Sequence, residues 1–215
     1  MPPYQATIYS AKEERFNIIS HAIGFVLSVV GTYLLLTKAS TLNNPILTTS
    51  FTIYGISMII LYAASSLYHS AKKPKLRHRF NILDHAAIYV LIAGTYTPFT
   101  LVTLNGKTGW ILFCTVWAFA LVGIVLKLFF TGRFDRLSTL MYIFMGWMVV
   151  FAIRPLIANL ATEGLIWMFA GGLAYTIGAV LYGMPQRVEY NHAIFHVFVL
   201  IGSFCHYMAV YFWVA

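Results

Sequence analysis

The stretch NHAIFHVFVLIGSFCHYMAVYFWVA, residues 191–215, decides how the chain is read. It contains no Asp, Glu, Lys or Arg. At about 1.5 Å of rise per residue, a helix of that length crosses a hydrocarbon core about 30 Å thick. Its first two turns carry His192 and His196, four apart, so both imidazoles leave one helix face about one turn from each other. Two imidazoles so placed can grip one metal ion, although the Glu that follows the first His in metalloprotease zinc helices is absent here. By itself the pair reads more readily as packing or surface histidines than as a metal site.

The rest of the chain shares this character. Of 215 residues, 60% are hydrophobic, 17% aromatic and only 9% charged, against roughly 25% charged in a soluble domain. The expected fold is all-α, a polytopic membrane protein, with a polar N-terminal segment over residues 1–15 and one transmembrane domain over residues 16–215. The net charge of +8 does not point to nucleic acid, because the basic residues fall in short connections between apolar runs rather than on one polar face. Cys114 and Cys205 lie inside apolar segments and read as small buried hydrophobes with no redox role. The first apolar run is too long for a signal-peptide core and lacks a cleavage signature, so no processing is expected.

Seven spans follow from hydropathy and breakers, at about 16–37, 47–69, 80–104, 108–130, 136–153, 164–182 and 191–215. A Thr-Leu-Asn-Asn-Pro turn separates the first two. Ser70 to Arg79, the most basic stretch, separates the second and third. Pro98 predicts a kink in the third, and Arg154-Pro155 ends the fifth early, leaving 157–160 to either side. Gly24, Ser28 and Gly31, and likewise Gly171, Gly172 and Gly178, are expected to let helices pack closely. Lys and Arg near the span ends set the orientation. With the N-terminus in the cytoplasm, the inner side collects Lys12, Arg15, the five between 72 and 79, Lys127, Arg133, Arg136 and Arg187, which is eleven, against Lys38, Lys107 and Arg154 outside. Seven spans then put the C-terminus outside, opposite to a G-protein-coupled receptor.

On this topology the ionisable residues of the spans converge. His69 ends the second span, Asp84 lies about one turn into the third, and His192 and His196 open the seventh, all near the cytoplasmic face. Ser65 is one turn before His69 on the same face. Ionisable groups within a membrane are costly and are usually paired or functional. Two readings fit: an interhelical hydrogen-bond cluster, or a zinc site with His69, His192 and His196 as ligands and a water completing the tetrahedron. In the second, Asp84 accepts a hydrogen bond from that water with Ser65 alongside. Iron or manganese suits three imidazoles without a ligating carboxylate less well. His21 reads as structural, His85 points about 100° away from Asp84, and His206 lies too far along the last span to share an ion.

Ser65-Ser-Leu-Tyr-His69, Asp84 and His192-Ala-Ile-Phe-His196 together resemble the Ser-x3-His, Asp and His-x3-His signature of the progestin and adipoQ receptor superfamily. Glu14-Arg-Phe-Asn17-Ile-Ile-Ser-His21-Ala-Ile-Gly24 is similar to the opening motif of its bacterial branch, the hemolysin III family, with Ser20 keeping the hydroxyl of the usual Thr. The resemblance covers nearly the whole chain. It implies a seven-helix bundle, N-terminus inside, with zinc on three histidines near the inner face of a bacterial plasma membrane. The long N-terminal domain of the animal receptors has no counterpart, so adiponectin binding is not implied.

Zinc in such a site lowers the pKa of water to about 7 and polarises a carbonyl. Asp84 is placed by sequence to take the proton, and Ser65 to orient the water or the developing oxyanion. A site inside the bundle would receive its substrate from the bilayer, so the expected function is zinc-dependent hydrolysis of a lipid amide or ester, in keeping with the alkaline ceramidases among related superfamilies. The alternatives are a membrane-homeostasis or receptor-like protein with a structural zinc, and a cytolysin, against which seven spans without a cleavable signal argue.

Overall fold

Three capping devices determine where the first helices begin and end. The Ser10 hydroxyl accepts from the Glu13 amide at 3.3 Å and starts α1, Ala11–Leu42. Asn43 then takes a left-handed conformation, φ 52°, and Asn44 accepts from the amides of Ile46 and Leu47 to start α2, Pro45–Ser70, with Pro45 in the first turn where its missing N–H costs nothing. The Asn-Asn-Pro turn is thus a C-cap and an N-cap in succession. Pro74 opens α3, Pro74–Pro98, in the same way, so half of the basic stretch is already helix.

This is a computed structural model; it describes residue 7, residues 9–183 and residues 190–214, with Asp135 represented by its backbone. Residues 1–6 and the link 184–189, including Arg187, lie outside the described residues.

Pro98 ends the regular α-helical part of the third crossing. It lacks an N–H for the carbonyl one turn back, and the helix widens into a π-turn over Phe99–Thr103, closed by Leu104 N–H to Phe99 O at 2.8 Å. The Thr97 and Thr100 hydroxyls donate to the carbonyls of Ala93 and Tyr96 there. After α4, Gly106–Phe130, the fifth crossing combines α5, Asp135–Trp147, a 3-10 turn, Met148–Ala152, and α6, Ile153–Asn159. Sequence alone ends this span at Ile153; instead Arg154 and Pro155 sit inside it. The break is displaced upstream, where the Tyr96 hydroxyl donates to Gly146 O at 2.8 Å and accepts from Val149 N–H at 2.9 Å. One phenol supplies both groups that an unbroken ladder would have used. The last two crossings are α7, Thr162–Gly183, and α8, Asn191–Trp213.

Among the described residues, seven helical segments are long and apolar enough to cross a membrane. The chain is therefore a multi-pass membrane protein. α1, α2 and α3 pack in sequence, α7 and α8 form a hairpin, and α1 closes against α8, while the fifth crossing touches α3 and α7 only lightly. The small residues serve contact. A Cβ at Gly24 would come within 2.6 Å of the Tyr62 ring, and one at Gly31 within 2.9 Å of Tyr207. Gly172 differs, with nothing within 4 Å of such an atom.

Candidate metal centre

α1, α3 and α8 start, and α2 ends, at one end of the bundle, and the buried ionisable residues gather toward it. His69 closes α2, His192 and His196 occupy the first two turns of α8, and all three are buried, 4%, 8% and 1% exposed. One ligand atom from each lies within 4.8 Å of the others. His192 Nε2 is 3.1 Å from His69 Nε2 and 3.1 Å from His196 Nε2. Two nitrogens bound tetrahedrally to one zinc at about 2.0–2.1 Å stand about 3.3–3.4 Å apart, so the spacing is close to that of a coordination shell.

Hydrogen bonding behind the rings decides which nitrogens face inward. The Glu14 carboxylate lies 2.7 Å from His69 Nδ1 and can only accept, so that nitrogen carries the proton and Nε2 presents a lone pair. The Ser20 hydroxyl donates to Asn17 O at 3.1 Å, leaving its oxygen to accept, weakly at 3.5 Å, from His196 Nδ1. Its Nε2 is then bare as well. His192 carries one proton when neutral and touches both, while its Nδ1 is buried without a hydrogen bond. Two or three lone pairs therefore meet, an arrangement that a cation resolves and a hydrogen-bond cluster alone does not. The donor set, three imidazoles and no thiolate or ligating carboxylate, fits a borderline metal such as zinc.

Behind the triad, Glu14 also pairs with the Arg77 guanidinium and accepts from the Tyr9 N–H at 3.2 Å. Arg77 is buried, donates to Thr7 O and Tyr68 O, and lies over the Tyr68 ring. Tyr9 stacks on His192, centroids 4.5 Å apart at 16°. Burial pushes the Tyr9 phenol far above its usual range, so it stays neutral. Tyr9 thus covers His192, while Thr7 O ties down Arg77 and the Tyr68 hydroxyl beside it. Glu14 and Arg77 are the residues that sequence reasoning misses. Arg77 counts there only as a topology charge and Glu14 only as part of a motif. The available signal is that Glu14 is a carboxylate in the first turn of α1, at the same end of the bundle as His69.

On the inner side, a cavity of about 110 Å³ runs among α3, α5, α7 and α8, and its wall includes His196, Asp84, Ser65 and His21. Asp84 is buried and outside the ligating group. Ser65 Oγ interacts with Asp84 but lies short of a formed hydrogen bond. His21 stacks face to face on His196, centroids 3.6 Å apart, and neither of its ring nitrogens makes a hydrogen bond. His85 is outside the ligating group: its Nδ1 donates to Asn81 O at 2.8 Å and lies 4.0 Å from Asp84 Oδ2, and its Nε2 meets the Tyr182 hydroxyl at 2.9 Å. His206 lines the far end of the cavity and does not belong to the ligating group. Further inward the wall is mostly apolar, with Ile88, Leu91, Ile92, Ile143 and Val199.

The family profile described as "Haemolysin-III related" matches residues 9–207. "Hemolysin-3" of Bacillus cereus is 46% identical over 203 residues, 94% of this chain and 92% of that protein. The "Hemolysin-3 homolog" of Bacillus subtilis (strain 168) is 43% identical over 206 residues, 96% of both chains. The human "Monocyte to macrophage differentiation factor" is 28% identical over 213 residues, 97% of this chain and 86% of that protein.

Proposed function

This chain belongs to the haemolysin-III related family, and from that premise we propose that it is a zinc-dependent hydrolase of a membrane lipid amide or ester. The observation that carries the reading is the meeting of bare imidazole nitrogens beside an apolar cavity whose wall includes one of the three rings, His196, together with Asp84 and Ser65. His69, His192 and His196 hold the ion. Zinc so held supplies a Lewis acid and lowers the pKa of water to about 7. Asp84 takes the proton from the attacking water and returns it to the leaving nitrogen or oxygen as the acyl C–N or C–O bond breaks. Ser65 donates a hydrogen bond to the carbonyl oxygen as negative charge gathers there, and keeps its proton. The mostly apolar cavity takes the acyl chain, and the lightly packed fifth crossing is where a lipid enters from the bilayer. The site faces the inner leaflet of a bacterial plasma membrane.

The test has two arms. Protein purified without added metal is expected to carry near-stoichiometric zinc, lost in His192→Ala. It is also expected to release fatty acid from a ceramide-like amide or a long-chain ester in detergent. Zinc without turnover of any lipid amide or ester leaves the second reading, a structural ion serving a membrane-homeostasis or receptor-like role, which the direct tie between α2 and α8 favours. The word hemolysin in the relatives' names suggests lysis. Seven apolar crossings favour residence in the cell's own bilayer instead, and red-cell lysis by the purified protein would revive the lytic reading.

A further inference from the structure

One carboxylate to which the sequence reading gives no role in the site stands directly behind His69. Glu14 offers Oε2 to His69 Nδ1 at 2.7 Å, and its other oxygen to the Arg77 guanidinium and the Tyr9 N–H. We propose that Glu14 is the positioning residue of the metal centre: it fixes the His69 tautomer, aims Nε2 at the ion, and is itself held in place by Arg77. The inference rests on the metal reading above and not on the hydrolytic one.

Three observations support it. A neutral imidazole carries its proton on one nitrogen only, and an acceptor at Nδ1 keeps that proton off Nε2, which must be bare to bind a metal. The competing group at Nδ1, the Asn17 side-chain nitrogen, is more distant at 3.5 Å, so the carboxylate decides the tautomer. Finally, Glu14 cannot swing away cheaply. Arg77 is buried, 6% exposed, and anchored by Thr7 O, Tyr68 O and the Tyr68 ring. Loss of Glu14 would leave that cation without its carboxylate. Of the three ligands, His69 is the one with a full charge behind it; His196 has a distant hydroxyl, and His192 Nδ1 has no hydrogen bond.

Outer partners of metal-bound histidines are typically worth 10–100-fold in metal affinity. Zinc affinity is therefore measured by chelator competition on wild type, Glu14→Ala and Glu14→Gln, alongside the visible spectrum of each protein loaded with cobalt(II). Glu14→Ala is expected to bind zinc about 100-fold more weakly and to shift the cobalt bands, because His69 can rotate or change tautomer. Glu14→Gln keeps an acceptor but not the charge; its expected loss is about tenfold, with cobalt bands close to wild type. Zinc affinity and cobalt bands unchanged in Glu14→Ala would overturn the assignment. If Glu14→Ala does not fold, Glu14→Gln decides by the same measure, an unchanged affinity overturning it. Wild type that binds no metal sinks the metal reading itself, a result distinct from wild type and Glu14→Ala binding equally well.

Discussion

Asp84 shares a cavity wall with His196 but differs from the three histidines in what its loss should do. Asp84 stands outside the ligating group, on the cavity wall. Asp84→Asn keeps the shape and removes the base, so zinc content should stay at the wild-type level while fatty-acid release falls about 10²–10⁴-fold. Parallel loss of zinc would move Asp84 into the ligand shell. This part of the site is legible in the sequence, because residues that bear chemistry are rare in apolar spans and helical spacing fixes their depth. Glu14 and Arg77 are not. A charge near the end of a span reads as a topology signal or a solvated group, and only packing shows that Arg77 is buried under Thr7 while Glu14 reaches His69. Nor does spacing reveal that His21 stacks on His196, since the two are brought together by the contact of α1 with α8.

At the scale of elements, hydropathy locates all seven crossings, with ends displaced by up to six residues from those of the helices, because each must exclude unsatisfied backbone groups from lipid. It fails inside the fifth, where Pro155 suggests an end. What lets that helix continue is a side chain from α3, the Tyr96 hydroxyl bonded to Gly146 O and Val149 N–H. Tyr96→Phe leaves both backbone groups without that partner. It should cost about 1–3 kcal/mol, read as a lower melting temperature in detergent with zinc content unchanged. An unaltered melt would mean that the break satisfies itself. Gly172 tests the neighbouring cavity. It lines the cavity, and an added Cβ meets nothing within 4 Å. Gly172→Leu should therefore fold at least as well, since Gly in a helix costs about 1 kcal/mol against Ala, and should impair release from long acyl chains more than from short ones. Equal loss for both would show that the acyl chain lies elsewhere.

For the molecule as a whole, the charge asymmetry predicts which side of the membrane holds the histidine triad, since it acts before any packing forms. By order along the sequence, eleven Lys and Arg flank the crossings on the side to which the triad belongs, against three on the other. Arg77 is buried with Glu14 in the folded protein, yet orientation is set during insertion, while that side chain still faces water, so it counts with the rest. Setting it aside leaves eleven minus one, ten against three, and the same orientation. The triad should therefore lie on the cytoplasmic side. In a background with Cys114 and Cys205 replaced, single cysteines at Asn43 and Lys107 should react with a membrane-impermeant thiol reagent in intact cells, and one at Lys73 only after lysis. The reverse pattern would carry the triad, its cavity and the proposed substrate to the outer leaflet together, because α2 and α8 hold all three ligands at the same end of the bundle. The chemistry would survive such a result; its source of lipid would not.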